Sequence, residues 1–264
     1  MRQVAAALVL AIISAAMPGD HALAYSQDNL AAFAFQPHPG TLLPLSASLI
    51  DETGRSVTLG DFFTGKPVIV VLDYLRCKSL CGVTLTGIFT ALDALPLNAG
   101  RDFQMLAISI DPRDTPADNT KAKAKYLAGY RHPGAAEGVH FLSGDAASVR
   151  QIADAIGFPY RYDPDIDQYI HPAGFILASP DGRISRYIFG VGAASADLRV
   201  GLASAAEGET LTPFERLILL CHIEGAPLGR FTVPVMAALM AGNIAAGATA
   251  FFIVVGIIRR RRQG

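Results

Sequence analysis

The chain has 264 residues, of which 51% are hydrophobic and 17% charged, with a net charge of −1. Soluble domains carry about 25% charged residues, so part of this chain is expected to meet lipid. Abundant apolar residues without a Gly or Pro period exclude disordered and fibrous classes, and the absence of a basic excess excludes nucleic acid as a partner.

Met1-Arg2-Gln3 precedes an apolar run of fourteen residues, Val4 to Met17, followed by Pro18-Gly19 and Ala22-Leu23-Ala24. A basic start, a short apolar stretch and an A-x-A site predict a secretory signal peptide over residues 1–24. The run is too short to span a bilayer, which takes about 20 residues. Residues 25–43, with Gln36-Pro37-His38-Pro39-Gly40, read as an irregular lead-in.

Residues 46–50 and 56–59 flank Asp51-Glu52-Thr53-Gly54-Arg55, the pattern of a hairpin. Pro67 to Leu75 is an almost continuous β-branched run, predicting a strand buried on both faces. A helical pattern follows over 78–95 and a second buried strand over 103–110. Thr115-Pro116 then opens a helix through 117–130, with Pro at the first helical position. Residues 139–142 read as a short strand and 145–156 as a helix capped by Gly157. Strands at 174–179 and 183–189 flank Pro180-Asp181-Gly182, and a last helix covers 195–206. This order predicts an α/β domain over residues 44–207, a central mixed sheet with helices on both faces.

A linker over 208–234 leads to Val235–Ile258, 24 residues without a charge, and then to Arg259–Arg262. That segment is expected to cross a membrane, with the basic tail 259–264 in the cytoplasm. The expected topology is an exported, periplasmic domain, tethered to the inner membrane by a single C-terminal helix.

Chemistry centres on three cysteines, Cys77, Cys81 and Cys221. In an oxidising compartment free thiols need a reason. Cys77 and Cys81 stand where the buried strand turns into a helix, and spacing i, i+4 puts them on one helical face. A helix N-terminus favours the thiolate, which serves metal binding and thiol exchange alike. Two soft thiolates suit Cu(I), completed by one imidazole, whereas structural zinc takes four protein ligands. A purely structural disulfide is also open, although so small a loop removes little chain entropy. His38 and His132 lie in Pro/Gly-rich loops and read as solvated, and His140 within a strand reads as a core residue. His171, before the 174–179 strand, is the third-ligand candidate. Asp73, in an otherwise apolar strand, reads as a strand-end carboxylate bonded to backbone or water, or else as a group acting on a nearby thiol. Asp111 reads equally as a turn former or as a support to the site. Cys221-His222 is an accessory metal pair, a partner for intermolecular disulfides, or incidental.

Taken together, Asp51-Glu52-Thr53-Gly54-Arg55, Leu59-Gly60-Asp61, Gly65-Lys66-Pro67, Cys77-Lys78-Ser79-Leu80-Cys81, Ser109-Ile110-Asp111-Pro112, Asp114-Thr115-Pro116, His171 and Pro180-Asp181-Gly182 make residues 36–207 resemble the SCO/SenC family. The resemblance implies a thioredoxin-like fold, with copper held as Cu(I) by Cys77, Cys81 and His171, and leaves Cu(II) open. It implies a metallochaperone rather than an enzyme, which receives copper from a donor protein and delivers it to the copper-site subunit of cytochrome c oxidase during assembly. The alternative is a thiol–disulfide oxidoreductase in which Cys77 and Cys81 keep a partner's copper-ligating cysteines reduced. Two departures stand out. Gly82 replaces the Pro that many members carry after the second cysteine, and the membrane anchor is C-terminal rather than N-terminal.

Overall fold

The computed structural model describes residues 33–75 and 81–210, with Cys81 by its backbone alone. The expectations for residues 1–24, 235–258 and 259–264, and for Cys77, Cys221 and His222, lie outside the described residues. Among the described residues no helix is long and apolar enough to cross a membrane.

After the lead-in come β1 (Ser48–Ile50) and β2 (Ser56–Thr58), paired antiparallel, and a 3-10 turn (Leu59–Phe62). Then follow β3 (Val68–Asp73), α1 (Cys81–Asp93), β4 (Gln104–Ser109), α2 (Pro116–Leu127), α3 (Ala135–Gly138), β5 (Val139–Leu142) and α4 (Ala146–Ile156). The chain continues through β6 (Arg161–Asp163), β7 (Gln168–Ile170), β8 (Gly174–Ala178), β9 (Ile184–Phe189) and α5 (Ser195–Ala206).

The central sheet has the order β5-β4-β3-β8-β9. β3 runs parallel to β4, and β4 parallel to β5, while β3–β8 and β8–β9 are antiparallel. This is the mixed sheet the sequence predicts, in thioredoxin-like order. β3, β4 and β8 are largely apolar and buried along their whole length because both of their faces are covered. Val68, Val70, Leu72, Leu106, Ile108 and Ile176 pack beneath α4 residues such as Ile152 and Ile156. Ile69, Val71, Met105, Ala107 and Phe175 face Leu85, Ile88 and Leu92 of α1, Tyr126 of α2, and Leu198 and Leu202 of α5.

Helix boundaries follow local chemistry. Thr115 caps α2 by accepting from the Asp118 N–H, with the Asp118 carboxylate reaching back, and Pro116 fills the first helical position. Asp145 caps α4 through bonds from Ala147 and Ser148. That helix ends at Gly157, left-handed at φ 69°, where a Cβ would lie 1.8 Å from the Gln36 carbonyl oxygen. α2 stops at Leu127, three residues short of the expected 130. The 3-10 turn, α3 and the β6–β7 hairpin are additions to the elements read from the sequence.

Candidate metal centre

β3 and β4 end side by side, with Asp73 opposite Ser109 in register. Crevices beyond the carboxyl ends of parallel strands are where α/β sheets bind ligands. Cys77 belongs to the connection leaving β3 there and lies outside the described residues. Cys81 is the first residue of α1, placed at the positive end of a helix of 13 residues.

His171 reaches the same region from β7, and of the three expected ligands it alone has a described side chain. Its ring is half-buried, stacked 5.5 Å from Phe158 at 27° and edge-on to Tyr74 at 5.8 Å. The ring Nδ1 lies 2.9 Å from the Pro172 carbonyl oxygen. A carbonyl only accepts, so Nδ1 carries the proton and Nε2 keeps the lone pair that a metal takes. Burial lowers the His171 pKa, which favours this neutral form. The chemistry of this donor fits a soft ion held by one imidazole and thiolates. Among the described residues no three His, Cys, Asp or Glu side chains gather to hold a metal.

The other histidines stand elsewhere. His132 is not solvated as the sequence suggests. It is mostly covered, stacked 4.6 Å from Tyr130 and 3.6 Å from the Asp93 carboxylate. His140, read as a core residue, is mostly covered at the edge strand, against the Phe62 ring and 3.7 Å from Glu52. His38 is partly covered, its N–H donating to the Tyr187 hydroxyl.

Asp73 is 4% exposed and half-satisfied. Its Oδ1 accepts the Tyr74 N–H at 2.7 Å, the backbone bond expected of a strand-end carboxylate, while Oδ2 meets no partner among the described residues. Burial, reinforced by the charge of Asp114, pushes its pKa up to about 8. It lines a cavity of about 290 Å³ with Tyr74, Gly82, Leu85, Lys125 and Tyr126. The cavity thus reaches the first turn of α1, beside Cys81.

Asp111 is 1% exposed and accepts from the Arg113 N–H and from the Arg113 guanidinium at 2.8–3.0 Å. It is a turn former and an ion-pair anchor at once. Sequence reasoning missed Tyr74, Phe158 and Arg113. The short Asp111-Pro112-Arg113-Asp114 run, a cation between two acids, is the signal that could have found Arg113.

The sheet order and the placement of Cys81 at the start of the helix that follows β3 define a thioredoxin-like protein. The SCO1/SenC family model matches residues 45–198, more than half of the chain. The chain therefore belongs to the SCO1/SenC family. Among solved structures it is similar to a proposed electron-transfer protein from Aquifex aeolicus VF5, at 25% identity over 65% of this chain and 96% of that one, with a TM-score of 0.57. A proposed electron-transport protein from the same organism shares 26% identity over 65% and 100%, with a TM-score of 0.54. Copper-bound ScoI of Arabidopsis thaliana shares the fold at 23% identity over 65% and 99%, with a TM-score of 0.50. No curated protein matches the chain by sequence.

Proposed function

We propose that the chain is a membrane-tethered copper chaperone that holds Cu(I) through Cys77, Cys81 and His171 and delivers it to cytochrome c oxidase during assembly. The observation that supports this reading best is His171, half-buried and neutral, with Nδ1–H spent on Pro172 and Nε2 as its lone pair. A thiol-exchange protein has no need of an imidazole prepared in this way. Copper supplies a soft acceptor for two thiolates and one imidazole. The residues around it do the rest. Phe158 and Tyr74 fix the plane of the ring, and Pro172 fixes its tautomer. Only the reduced cysteine pair binds, so a thiol/disulfide change gates retention. The C-terminal anchor over 235–258 keeps donor and acceptor in one plane of the inner membrane, on its periplasmic side, which raises effective concentration.

An anaerobic Cu(I) titration of the reduced full chain in detergent, against a competing chelator, tests this. Tight one-to-one binding that weakens by orders of magnitude in His171→Ala and in Cys77→Ser/Cys81→Ser is the expected result. Binding by the double-serine variant equal to wild type would overturn the copper reading and leave thiol–disulfide exchange as the function.

A further inference from the structure

The loop between β4 and α2 touches both chain segments that carry the expected ligands. On one side, the Ile110 N–H donates to the Asp73 carbonyl at 2.8 Å. Asp114 Oδ2 accepts the Leu75 N–H at 2.8 Å and the Ser109 hydroxyl at 2.7 Å. Leu75 stands two residues before Cys77. On the other side, Arg113 Nη1 meets Asp167 Oδ1 at 3.0 Å, and the guanidinium lies 5.1 Å from the centre of the Tyr162 ring. The Tyr162 hydroxyl donates to the same Asp167 oxygen at 2.7 Å. Asp167 is the residue before β7, and β7 ends at Ile170, against His171.

Two features set this contact apart from ordinary surface pairing. Asp167 has φ 49°, the only positive φ of a non-glycine residue among those described, a conformation that persists where surroundings hold it. The Arg113 guanidinium is aimed by the buried Asp111 through a two-pronged pair, which fixes its direction. Arg113 and Asp167 are 42% and 55% exposed, and an exposed ion pair adds little stability. What the arrangement supplies is geometry.

We propose that Arg113 and Asp167 form a positioning clamp that fixes the β6–β7 hairpin, and with it His171, against the chain segment leading into Cys77. Arg113 is a positioning residue, acting on the histidine through Asp167 and three residues of strand. The inference rests on the copper reading for its consequence but not for its geometry.

The test uses the reduced full chain in detergent, with wild type, Asp167→Asn, Asp167→Glu and Arg113→Gln. Cu(I) affinity by chelator competition, the thermal midpoint of the apoprotein, and the His171 ring resonances are measured for each. Supporting structures around metal ligands typically contribute 10–100-fold in affinity. Asp167→Asn is therefore expected to lose about tenfold in Cu(I) affinity and to shift the His171 resonances, with a midpoint close to wild type and partial recovery in Asp167→Glu. Arg113→Gln is expected to shift the same resonances further. If wild type binds copper and Asp167→Asn binds equally well with unmoved His171 resonances, the clamp is wrong. If wild type binds no copper while the variants still move His171, the copper reading fails and the clamp stands.

Discussion

The two sides of the candidate centre are built on opposite terms. On the histidine side each neighbour is packed or paired. His171 lies between Phe158 and Tyr74, Tyr169 meets Tyr74 edge-on at 5.4 Å, and Asp111 is answered by Arg113. On the cysteine side, the described residues leave an open cavity and a buried carboxyl with one oxygen unmet. Asp111 and Asp73 leave neighbouring strands at similar depth, and among the described residues only Asp111 has a cation. Buried Asp73 keeps its proton far above the usual carboxylate range. The imidazole side is thus packed and paired, and the cysteine side carries a group whose charge depends on pH.

Removing the packed side has the largest expected effect. Phe158 is 2% exposed, joins one apolar core and stacks on His171. Phe158→Ala is expected to cost about 3–5 kcal/mol in denaturant unfolding, a loss that its removal from a loosely packed site would not produce.

Asp73→Asn probes the other side. Between the ordinary carboxylate value and about 8, the folded chain retains a proton on Asp73 that the unfolded chain has released. Stability therefore falls as pH rises through that window and levels off above it. The amide carries no charge to bury, so the variant should match wild type near pH 4 and exceed it by about 1–3 kcal/mol at pH 8, the usual cost of an unsatisfied buried group. Thermal midpoints measured across that range read it directly. A gap independent of pH would show Asp73 to be charged and satisfied. Asp51 and Glu52 act at the acid end. Burial raises their pKa values, but bonds from Thr53 and Arg55 to Asp51, and from His140 and Lys123 to Glu52, bring both down to about 2. Their contribution is present above pH 4 and disappears as pH falls towards 2 in wild type and variant alike, so it cancels in the comparison.

Smaller effects sharpen the contrast. Tyr74→Phe removes the acceptor of the Tyr169 N–H at 3.3 Å and should cost about 1 kcal/mol by urea unfolding. Gly82→Ala enters the cavity, where its Cβ would sit 3.5 Å from the Tyr126 hydroxyl in ordinary contact. It should be neutral or stabilise by up to about 1 kcal/mol, since alanine is the better helix former. A clear loss of thermal midpoint would show that the first turn of α1 has no room to spare.

The elements visible in the sequence are those whose chemistry is local. Pro67 to Leu75 announces β3 by its unbroken apolar run, Thr115-Pro116 announces α2 by its cap, and Pro180-Asp181-Gly182 announces the β8–β9 hairpin, with Gly182 at φ 87°. The β6–β7 hairpin was not legible, because strands of three residues are too short to show a period of two. Tyr160 and Tyr162 on one side of Asp163-Pro164-Asp165 and Tyr169 on the other were its only trace. Position alone makes His171 a candidate, but its tautomer depends on a carbonyl one residue away and its orientation on Phe158 and Tyr74. Such information is three-dimensional. The same holds for Asp73: a lone acid in an apolar strand is visible in sequence, while the lack of a partner for Oδ2 among the described residues is visible only in space.

One segment also governs how the sheet ends. Thr41 and Leu43 exchange backbone bonds with Ile184 and Gly182 at the outer margin of β9, and Ile50 exchanges two with Ser143 just past β5. The Glu52 carboxylate further accepts the Phe141 N–H of β5 at 3.3 Å and is bound by Lys123. A dozen residues between Thr41 and Glu52 thus shield parts of both outer strands from which another chain could extend the sheet. A protein working beside its own copies gains from this. Unsheathed strand margins are the starting point for aggregation, and here the segment that leads into the fold also keeps neighbouring copies from joining it.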